Sequence, residues 1–137
     1  MNVIRMSNFI FQSVPQQYNL KALAESGDLP PRAESWKATR YRDIMDTNDG
    51  VFFYMSGKEA GIYGCGFIVD PPTETTKRVL IKWIALYQPP ILRRDLEPIL
   101  KENLLFTVKV GTNFRLSYEE NSKLRRLVQS RGFKVPP

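Results

Sequence analysis

Aromatic and basic side chains are interleaved around Trp36. This tryptophan follows a polar, proline-rich stretch and precedes Lys37, Arg40, Tyr41 and Arg42. An aromatic ring beside cations can stack on an unpaired nucleic-acid base while the cations contact phosphates. A lone tryptophan is also, and more commonly, a residue of the hydrophobic core. The spacing alone leaves both interpretations open.

Three polar side chains stand at the ends of apolar segments. Gln12 and Ser13 end the apolar run that begins at Asn8, and Asn113 lies in a tight loop after Gly111. Side-chain amides and hydroxyls in such positions can read the edge of a base by hydrogen bonding. They can equally satisfy local backbone groups, and asparagine tolerates a left-handed turn.

Nucleophilic and metal-assisted catalysis find little support in the sequence. The chain contains no histidine, which excludes Ser-His and Cys-His dyads and histidine-ligated zinc within it. Asp43, Asp46 and Asp49 cluster, but the segment D-T-N-D-G lacks the distant glutamate of a calcium loop. Cys65 lies in an apolar run typical of a buried, inert thiol. We therefore predict no metal site, no cofactor and no enzymatic activity.

The overall charge permits a polyanionic partner without requiring one. Twenty Lys and Arg against fourteen Asp and Glu give a formal net charge of +6. A basic cluster without acidic residues lies near the C-terminus and contains Lys123, Arg125, Arg126, Arg131 and Lys134. These cations are expected either to complement the dipole of their own helix or to contact nucleic acid.

Four apolar segments predict strands, namely Asn8–Ser13, Val51–Met55, Ile62–Val69 and Val79–Tyr87. Alternation predicts that one face of the last strand carries Val79, Ile81, Trp83 and Ala85. The opposite face is predicted to carry Leu80, Ile84 and Leu86. Gly64 and Gly66 leave room for bending or for the close approach of another backbone, as where a sheet curls into a barrel.

Helix signals surround these strands. Asn19 as N-cap and Gly27 as a left-handed C-terminal residue bound one short helix. The capping box of Ser117 and Glu120 begins the last helix, which Gly132 ends. Three further segments are predicted less directly: an amphipathic turn or short helix over Trp36–Met45, a helix around Arg94–Lys101 interrupted or offset by Pro98, and a strand at Phe106–Val110 with a loop at Gly111–Phe114.

The order of these elements favours an α+β (mixed) fold. Strand and helix do not alternate regularly, so a small, strongly curved sheet flanked by short helices fits better than a doubly wound sheet. A length of 137 residues favours a single domain, 1–137. One cysteine fits a reducing compartment, and we expect a cytoplasmic protein without a membrane segment.

Four segments, in this order, resemble the EVE domain of the PUA-like superfamily, which also contains the YTH readers of methylated adenine in RNA. They are F-I-F-Q-S-V-P, W-K-A-T-R-Y-R-D-I, D-G-V-F-F-Y-M-S-G-K-E-A-G-I-Y-G-C-G-F-I and V-G-T-N-F-R-L-S-Y-E-E. The resemblance extends over a core of about residues 8–132. It implies a PUA-like curved β-barrel sheet flanked by short helices, with a pocket for a flipped, modified base.

The resemblance also implies roles for individual residues. In the base pocket, Trp36 would form the aromatic wall. The other implied pocket residues are Gln12 and Ser13 at the floor, Tyr54, Ser56 and Gly57 on the opposite side, Asn113 near the rim, and Lys37. The implied contacts to the nucleic-acid backbone are Arg40, Arg42, Lys58 and Arg115.

The function that the resemblance implies is a non-catalytic nucleic-acid reader. Its ligand would be a modified base, a modified cytosine in DNA rather than a base in RNA, as in modification-dependent restriction with a nuclease or motor partner protein. Three alternatives stay open: an RNA-binding PUA-like module that reads a modified RNA base, a hydrolase or nuclease, and a protein-interaction domain.

Overall fold

Strands and short helices succeed one another irregularly along the chain. The computed structural model describes residues 7–108 and 111–137. Within them the strands are β1 (Asn8–Ser13), β2 (Glu34–Lys37), β3 (Gly50–Met55), β4 (Gly61–Asp70), β5 (Arg78–Leu92) and β6 (Asn113–Arg115). The helices are α1 (Leu20–Ser26), α2 (Arg93–Leu100), α3 (Leu104–Thr107) and α4 (Tyr118–Ser130). The predicted α+β (mixed) class is confirmed.

One curled sheet contains all of these strands, in the order β2-β5-β4-β3-β1-β6. The pair β1–β3 is parallel, and the other neighbouring pairs are antiparallel. Because β1 and β3 are parallel, their last residues, Ser13 and Met55, lie side by side at the same end of the sheet. The two edges of the sheet are β2 and β6.

Alternation along the strands divides the core into two layers. The inner layer, which α1 covers, is built around aromatic side chains that include Phe9, Phe11, Trp36, Phe53 and Trp83. The outer layer lies beneath α2, α3 and α4 and is built around Ile10, Phe52, Tyr54, Ile62 and Tyr87. Each of these large side chains contributes about 1.5–3 kcal/mol by leaving water.

Gly64 and Gly66 permit the curvature that their spacing predicts. A Cβ on Gly64 would strike the carbonyl of Ala85 and the ring of Trp83, and a Cβ on Gly66 would strike the carbonyl of Lys82. The pairing of β4 with β5 shifts register at this point, which is the signature of a bulge. Bulges increase the local twist of a sheet.

The bulge makes the predicted faces of β5 wrong from Ala85 onward, whereas Ile84 lies on the face opposite Trp83 as predicted. Ala85 packs against the outer layer instead of beside Trp83, whereas Leu86 packs against the inner layer. One extra residue in β5 reverses the alternation, and a strict two-residue period cannot anticipate this.

Local capping signals were predicted correctly. The Asn19 side chain accepts a hydrogen bond from Ala22 N at 3.1 Å, and Gly27 is left-handed with a φ of 72°. Ser117 and Glu120 form both hydrogen bonds of the capping box that begins α4. These signals depend on neighbours in the chain, so the sequence contains them in full.

Two other local predictions were wrong in part. Trp36 and Lys37 belong to β2 because their backbone pairs with β5, and only Tyr41–Met45 makes a hydrogen-bonded turn. Helix α2 continues through Pro98, which is exposed while the buried Leu96 and Leu100 anchor the helix.

The segment predicted as a strand at Phe106–Val110 begins as a helical turn. The Asn103 side chain caps α3 by accepting from Leu105 N at 3.0 Å. Residues 109 and 110, the end of that predicted strand, lie outside the described residues. The loop predicted at Gly111–Phe114 instead enters β6, because Asn113 and Phe114 pair with β1.

Candidate nucleic-acid interface

The side chain of Asn113 joins the two edges of the sheet. Its Oδ1 accepts hydrogen bonds from Thr39 N at 2.8 Å and Arg40 N at 3.4 Å, and its Nδ2 donates to Lys37 O at 2.9 Å. Asn113 is fully buried. We call this joint between residues 37–40 and Asn113 the seam. Asparagine suits it because one amide group supplies both an acceptor and donors.

Gln12 and Arg40 flank the seam. Gln12 Nε2 donates to Gly111 O at 2.8 Å, which fixes the chain just before β6. The Arg40 guanidinium lies against Gly111, where a Cβ would come within 3.2 Å of it, and lies 5.6 Å from the centroid of the Phe114 ring. The structure therefore brings together three of the predicted site residues, Gln12, Arg40 and Asn113.

The ring of Trp36 points into the barrel from the strand that leads to the seam. It is 7% exposed. Its centroid lies 6.2 Å from that of Phe11, 5.2 Å from Phe53 and 5.5 Å from Tyr18. The Tyr18 ring is stacked on it, with 28° between the ring planes. Trp36 is thus a core residue whose aromatic face is covered by another side chain.

Glu34 holds the covering ring in place. Its two carboxylate oxygens accept from the Tyr18 hydroxyl at 2.9 and 2.7 Å, and one of them also accepts from Trp83 Nε1 at 2.7 Å. Burial first, and then the neighbouring Glu34 carboxylate, raise the pKa of Tyr18 far above its ordinary value. The hydroxyl therefore stays a donor. Sequence reasoning missed Tyr18 and Glu34, which only the tertiary fold brings together.

Ser13, Ser56 and Gly57 meet where β1 and β3 end. Ser56 N donates to Ser13 O at 3.0 Å, and Ser13 Oγ donates to Tyr18 O at 3.1 Å. Gly57 has a φ of 106° and faces Pro15 across the two turns. We call the surface made by Ser13, Tyr18, Trp36 and the seam the barrel mouth.

Tyr54 is not brought to the barrel mouth. Successive side chains of a strand point to opposite faces, and Phe53 is the β3 residue that faces Trp36. Tyr54 therefore packs in the outer layer, 2% exposed and edge-on to Phe106 at 6.1 Å. The expectation that it closes a pocket opposite Trp36 does not fit this arrangement.

The cations predicted to contact the nucleic-acid backbone are placed differently from one another. Arg42 Nη2 donates to three carbonyls of the β4–β5 loop at 2.9, 3.0 and 3.1 Å, so this group organises the loop. Arg115 ends β6, where it pairs with Phe9 of β1, and it lines a groove between α2 and α4. Lys58 is exposed in the turn after Gly57, at the end of the sheet that includes Ser13.

A basic strip of Lys37, Lys77 and Arg78 runs along the outer side of β2 and the start of β5. All three are exposed, and Lys37 pairs with Arg78 across the two strands. Arg78 is oriented by donating to Ser35 Oγ at 2.9 Å and Ser35 O at 2.7 Å. Within residues 7–108 and 111–137, none of the three makes an ion pair. Sequence reasoning missed Lys77 and Arg78 because β2 was not predicted as a strand.

The groove between α2 and α4 has a volume of about 1280 Å³ and is a less suitable place for phosphates. Its lining includes Arg115, Lys101 and Lys123, but also the carboxylates of Glu102, Glu119 and Glu120. The negative charge of these carboxylates repels a phosphate. By contrast, none of the three cations of the basic strip is in an ion pair with a described residue.

Cys65 and Arg125 both have structural partners. Cys65 is buried, its Sγ lies 3.5 Å from Lys134 O, and burial raises the pKa of its thiol to about 11. In the predicted C-terminal basic cluster, Arg125 donates to Pro136 O at 2.6 Å and to Asn8 Oδ1 at 2.9 Å. This arginine ties the last residues to β1.

Two further properties of the described ranges bear on function. No three side chains of His, Cys, Asp or Glu there are grouped so that they could hold a metal ion. No helix among those residues is both long enough and apolar enough to cross a membrane.

A family model decides what kind of domain this is. The model of the EVE domain matches residues 7–126. The chain belongs to the EVE domain family. The curled sheet with its short helices is the PUA-like fold expected for it. No curated protein sequence matches this EVE domain.

Solved structures share the fold of this EVE domain. A hypothetical protein from Leishmania major aligns with a TM-score of 0.71 at 18% identity, over 93% of this chain and 98% of that one. Human THYN1, solved in complex with DNA containing 5-methylcytosine, aligns with a TM-score of 0.65 at 20% identity, over 88% and 96%. Rpa0253 from Rhodopseudomonas palustris aligns with a TM-score of 0.65 at 20% identity, over 93% of each chain.

Replacing Asn113 by alanine leaves the backbone groups of the seam without their partners. We expect Asn113→Ala to lower the free energy of unfolding by about 2–4 kcal/mol, since each buried group left unpaired costs about 1–3 kcal/mol. Urea denaturation measures this loss. Amide hydrogen exchange supplies an internal control, because the amide of Ala38 donates to Lys77 O at 2.8 Å and should keep its protection while that of Thr39 loses it. Equal loss at both amides would contradict the role given to Asn113.

Proposed function

We propose that this EVE domain is a non-catalytic nucleic-acid-binding module that holds one flipped, modified base against Trp36. The observation that carries the proposal is the placement of the Trp36 ring at the barrel mouth, on the strand that also carries Lys37 of the basic strip. An aromatic face accepts any base by stacking, and cations beside it hold the phosphates of the same strand.

Stacking on Trp36 does not by itself supply the free energy that such a complex needs. Extruding a base costs a few kcal/mol, and stacking on an aromatic side chain returns about 1–3 kcal/mol. The difference has to come from phosphate contacts, whose strength falls with salt concentration. Lys37, Lys77 and Arg78 are exposed cations able to supply them.

We favour a modified cytosine in DNA as the ligand. The structure of THYN1 with 5-methylcytosine DNA supports this choice, since both proteins have the same fold. The domain would then serve modification-dependent restriction together with a nuclease or motor partner protein. A modified base in RNA is the second candidate, because stacking and phosphate contacts serve either polymer.

Replacing Trp36 by leucine removes the aromatic ring and so tests its stacking role. We expect Trp36→Leu to weaken binding to a duplex with one 5-methylcytosine by about tenfold or more, with little effect on unmodified duplex, because stacking is worth about 1–3 kcal/mol. Fluorescence polarisation measures both affinities. Trp36 is also a core residue, so Phe52→Leu in the outer layer serves as the matched control for lost stability. If both variants change the preference for modified DNA equally, Trp36 does not hold the base.

The basic strip gives a separate prediction about salt. We expect Lys77→Ala to weaken binding to modified and unmodified duplexes alike and to reduce the slope of log affinity against log salt by about one. The control is Arg94→Ala, because that side chain on α2 is 80% exposed and remote from β2. A slope unchanged by Lys77→Ala, or reduced equally by Arg94→Ala, would contradict phosphate binding along the strip.

A further inference from the structure

We propose that Tyr18 occupies the place of the flipped base in the free protein, and that Glu34 reads the amino edge of the base which replaces it. The inference rests on the proposed function and adds the chemical feature by which a base is chosen. The ligand class is a base with an exocyclic amino group. Thymine and uracil would be rejected.

The first step of the argument is the position of the Tyr18 ring. It is stacked on Trp36, at 5.5 Å between centroids and 28° between planes. Trp36 is only 7% exposed with this ring in place. A base can therefore reach the aromatic face only where Tyr18 now lies, so Tyr18 must move as the base enters.

The second step is the position of the polar edge. The Tyr18 ring projects its hydroxyl onto both oxygens of Glu34, at 2.9 and 2.7 Å. A base that takes over the same stack places its own hydrogen-bonding edge near that carboxylate. Once the tyrosine hydroxyl has left, Oε2 of Glu34 has lost a donor and can accept another.

The third step is the chemistry of the acceptor. A carboxylate accepts hydrogen bonds and offers none, so it pairs with the exocyclic amino group of cytosine or adenine, whereas the O4 carbonyl of thymine in the same place is a second acceptor that repels it. Trp83 Nε1 donates to Oε1 at 2.7 Å and fixes the orientation of the group. Trp83 is itself held by stacking on Phe53 at 3.7 Å. Glu34 thus has one oxygen anchored and the other assigned to the ligand.

Entry of the base replaces the contacts of Tyr18 with contacts of the same kinds. The opening breaks the hydrogen bonds from Tyr18 to Glu34 and one aromatic stack on Trp36. The base restores a stack on Trp36 and a hydrogen bond to Glu34. A base with a carbonyl in place of the amino group restores the stack but sets an acceptor oxygen against the carboxylate, which makes the exchange selective.

The test compares two bases that share a 5-methyl group. 5-Methylcytosine has an amino group at position 4 where thymine has a carbonyl, so identical duplexes with 5-methylcytosine or thymine opposite guanine isolate the amino edge. We expect wild-type protein to bind the 5-methylcytosine duplex about tenfold more tightly, although the thymine mismatch is easier to open. Glu34→Gln should bring the two affinities within about threefold, because an amide can donate as well as accept.

Controls separate this inference from the proposed function. Glu119→Gln on α4 removes one carboxylate remote from the mouth and should leave the ratio unchanged. If wild-type protein prefers 5-methylcytosine to cytosine but binds thymine equally well, or if Glu34→Gln keeps the preference over thymine, the role of Glu34 is overturned and the proposed function stands. If wild-type protein binds all of these duplexes alike, the proposed function itself fails.

A second variant tests Tyr18 without disturbing the core. Tyr18→Phe keeps the ring but removes its hydrogen bonds to Glu34, so it should tighten binding of the 5-methylcytosine duplex by about threefold to tenfold. Binding to an unmodified duplex should stay the same. In the free variant, the indole NMR signal of Trp36 should become more accessible to a soluble relaxation agent. An affinity for the 5-methylcytosine duplex that is unchanged or weaker would overturn the role of Tyr18.

Discussion

The hydrogen bonds of the Asn113 side chain fix the end of the short strand that carries Trp36. β2 and β6 are the edges of the sheet, and Asn113 replaces the backbone ladder that would otherwise join them. β2 is a strand of four residues paired with β5 alone. Its far end is fixed by Asn113, and its register on β5 turns Trp36 inward and Lys37 outward. The proposed stacking surface and Lys37 of the basic strip both follow from this one short strand, and its pairing with β5 brings Arg78 beside Lys37.

The aromatic layer beneath the mouth has two roles that compete. Packing among Phe11, Tyr18, Trp36 and Phe53 stabilises the barrel, and in the proposed complex part of the same packing is given up to a base. In the proposed complex the ring that leaves, Tyr18, is partly exposed and lies just before the N-cap of α1, where in the free protein its hydrogen bonds to Glu34 hold it. The rings that stay, Phe53 and Trp83, are stacked at 3.7 Å deeper in the barrel.

Much of the fold could be predicted from local signals, and most of the site could not. The caps at Asn19, Gly27 and Ser117 follow from residues a few positions apart. Gly64 and Gly66 of β4 predicted the curvature of the sheet. The bulge that reverses the faces of β5 could not be predicted, because it depends on pairing between strands. The helical turn of α3 was missed because a short apolar run fits a strand as well as a helix. Here the N-cap Asn103 favours the helix.

The site depends on contacts between distant parts of the chain. Trp36 and Asn113 were selected by residue type and by the resemblance, yet Asn113 acts on the backbone of residues 37–40 across the seam. Arg42 was assigned to phosphates on the basis of its charge, whereas the fold gives it three loop carbonyls. Glu34 looked like an ordinary polar residue, because nothing in its sequence neighbourhood predicts the tyrosine and the tryptophan that donate to it.

The central claim is that the barrel mouth binds the modified base. Titrating isotope-labelled protein with a short duplex that carries one 5-methylcytosine, and recording amide and indole NMR signals, tests it most directly. The account predicts that the largest changes fall on the Trp36 indole, on Tyr18 and its neighbours, and on residues 37–40, and that unmodified duplex leaves the indole signal in place. Changes confined to the groove between α2 and α4, or an indole signal that no duplex alters, would contradict it.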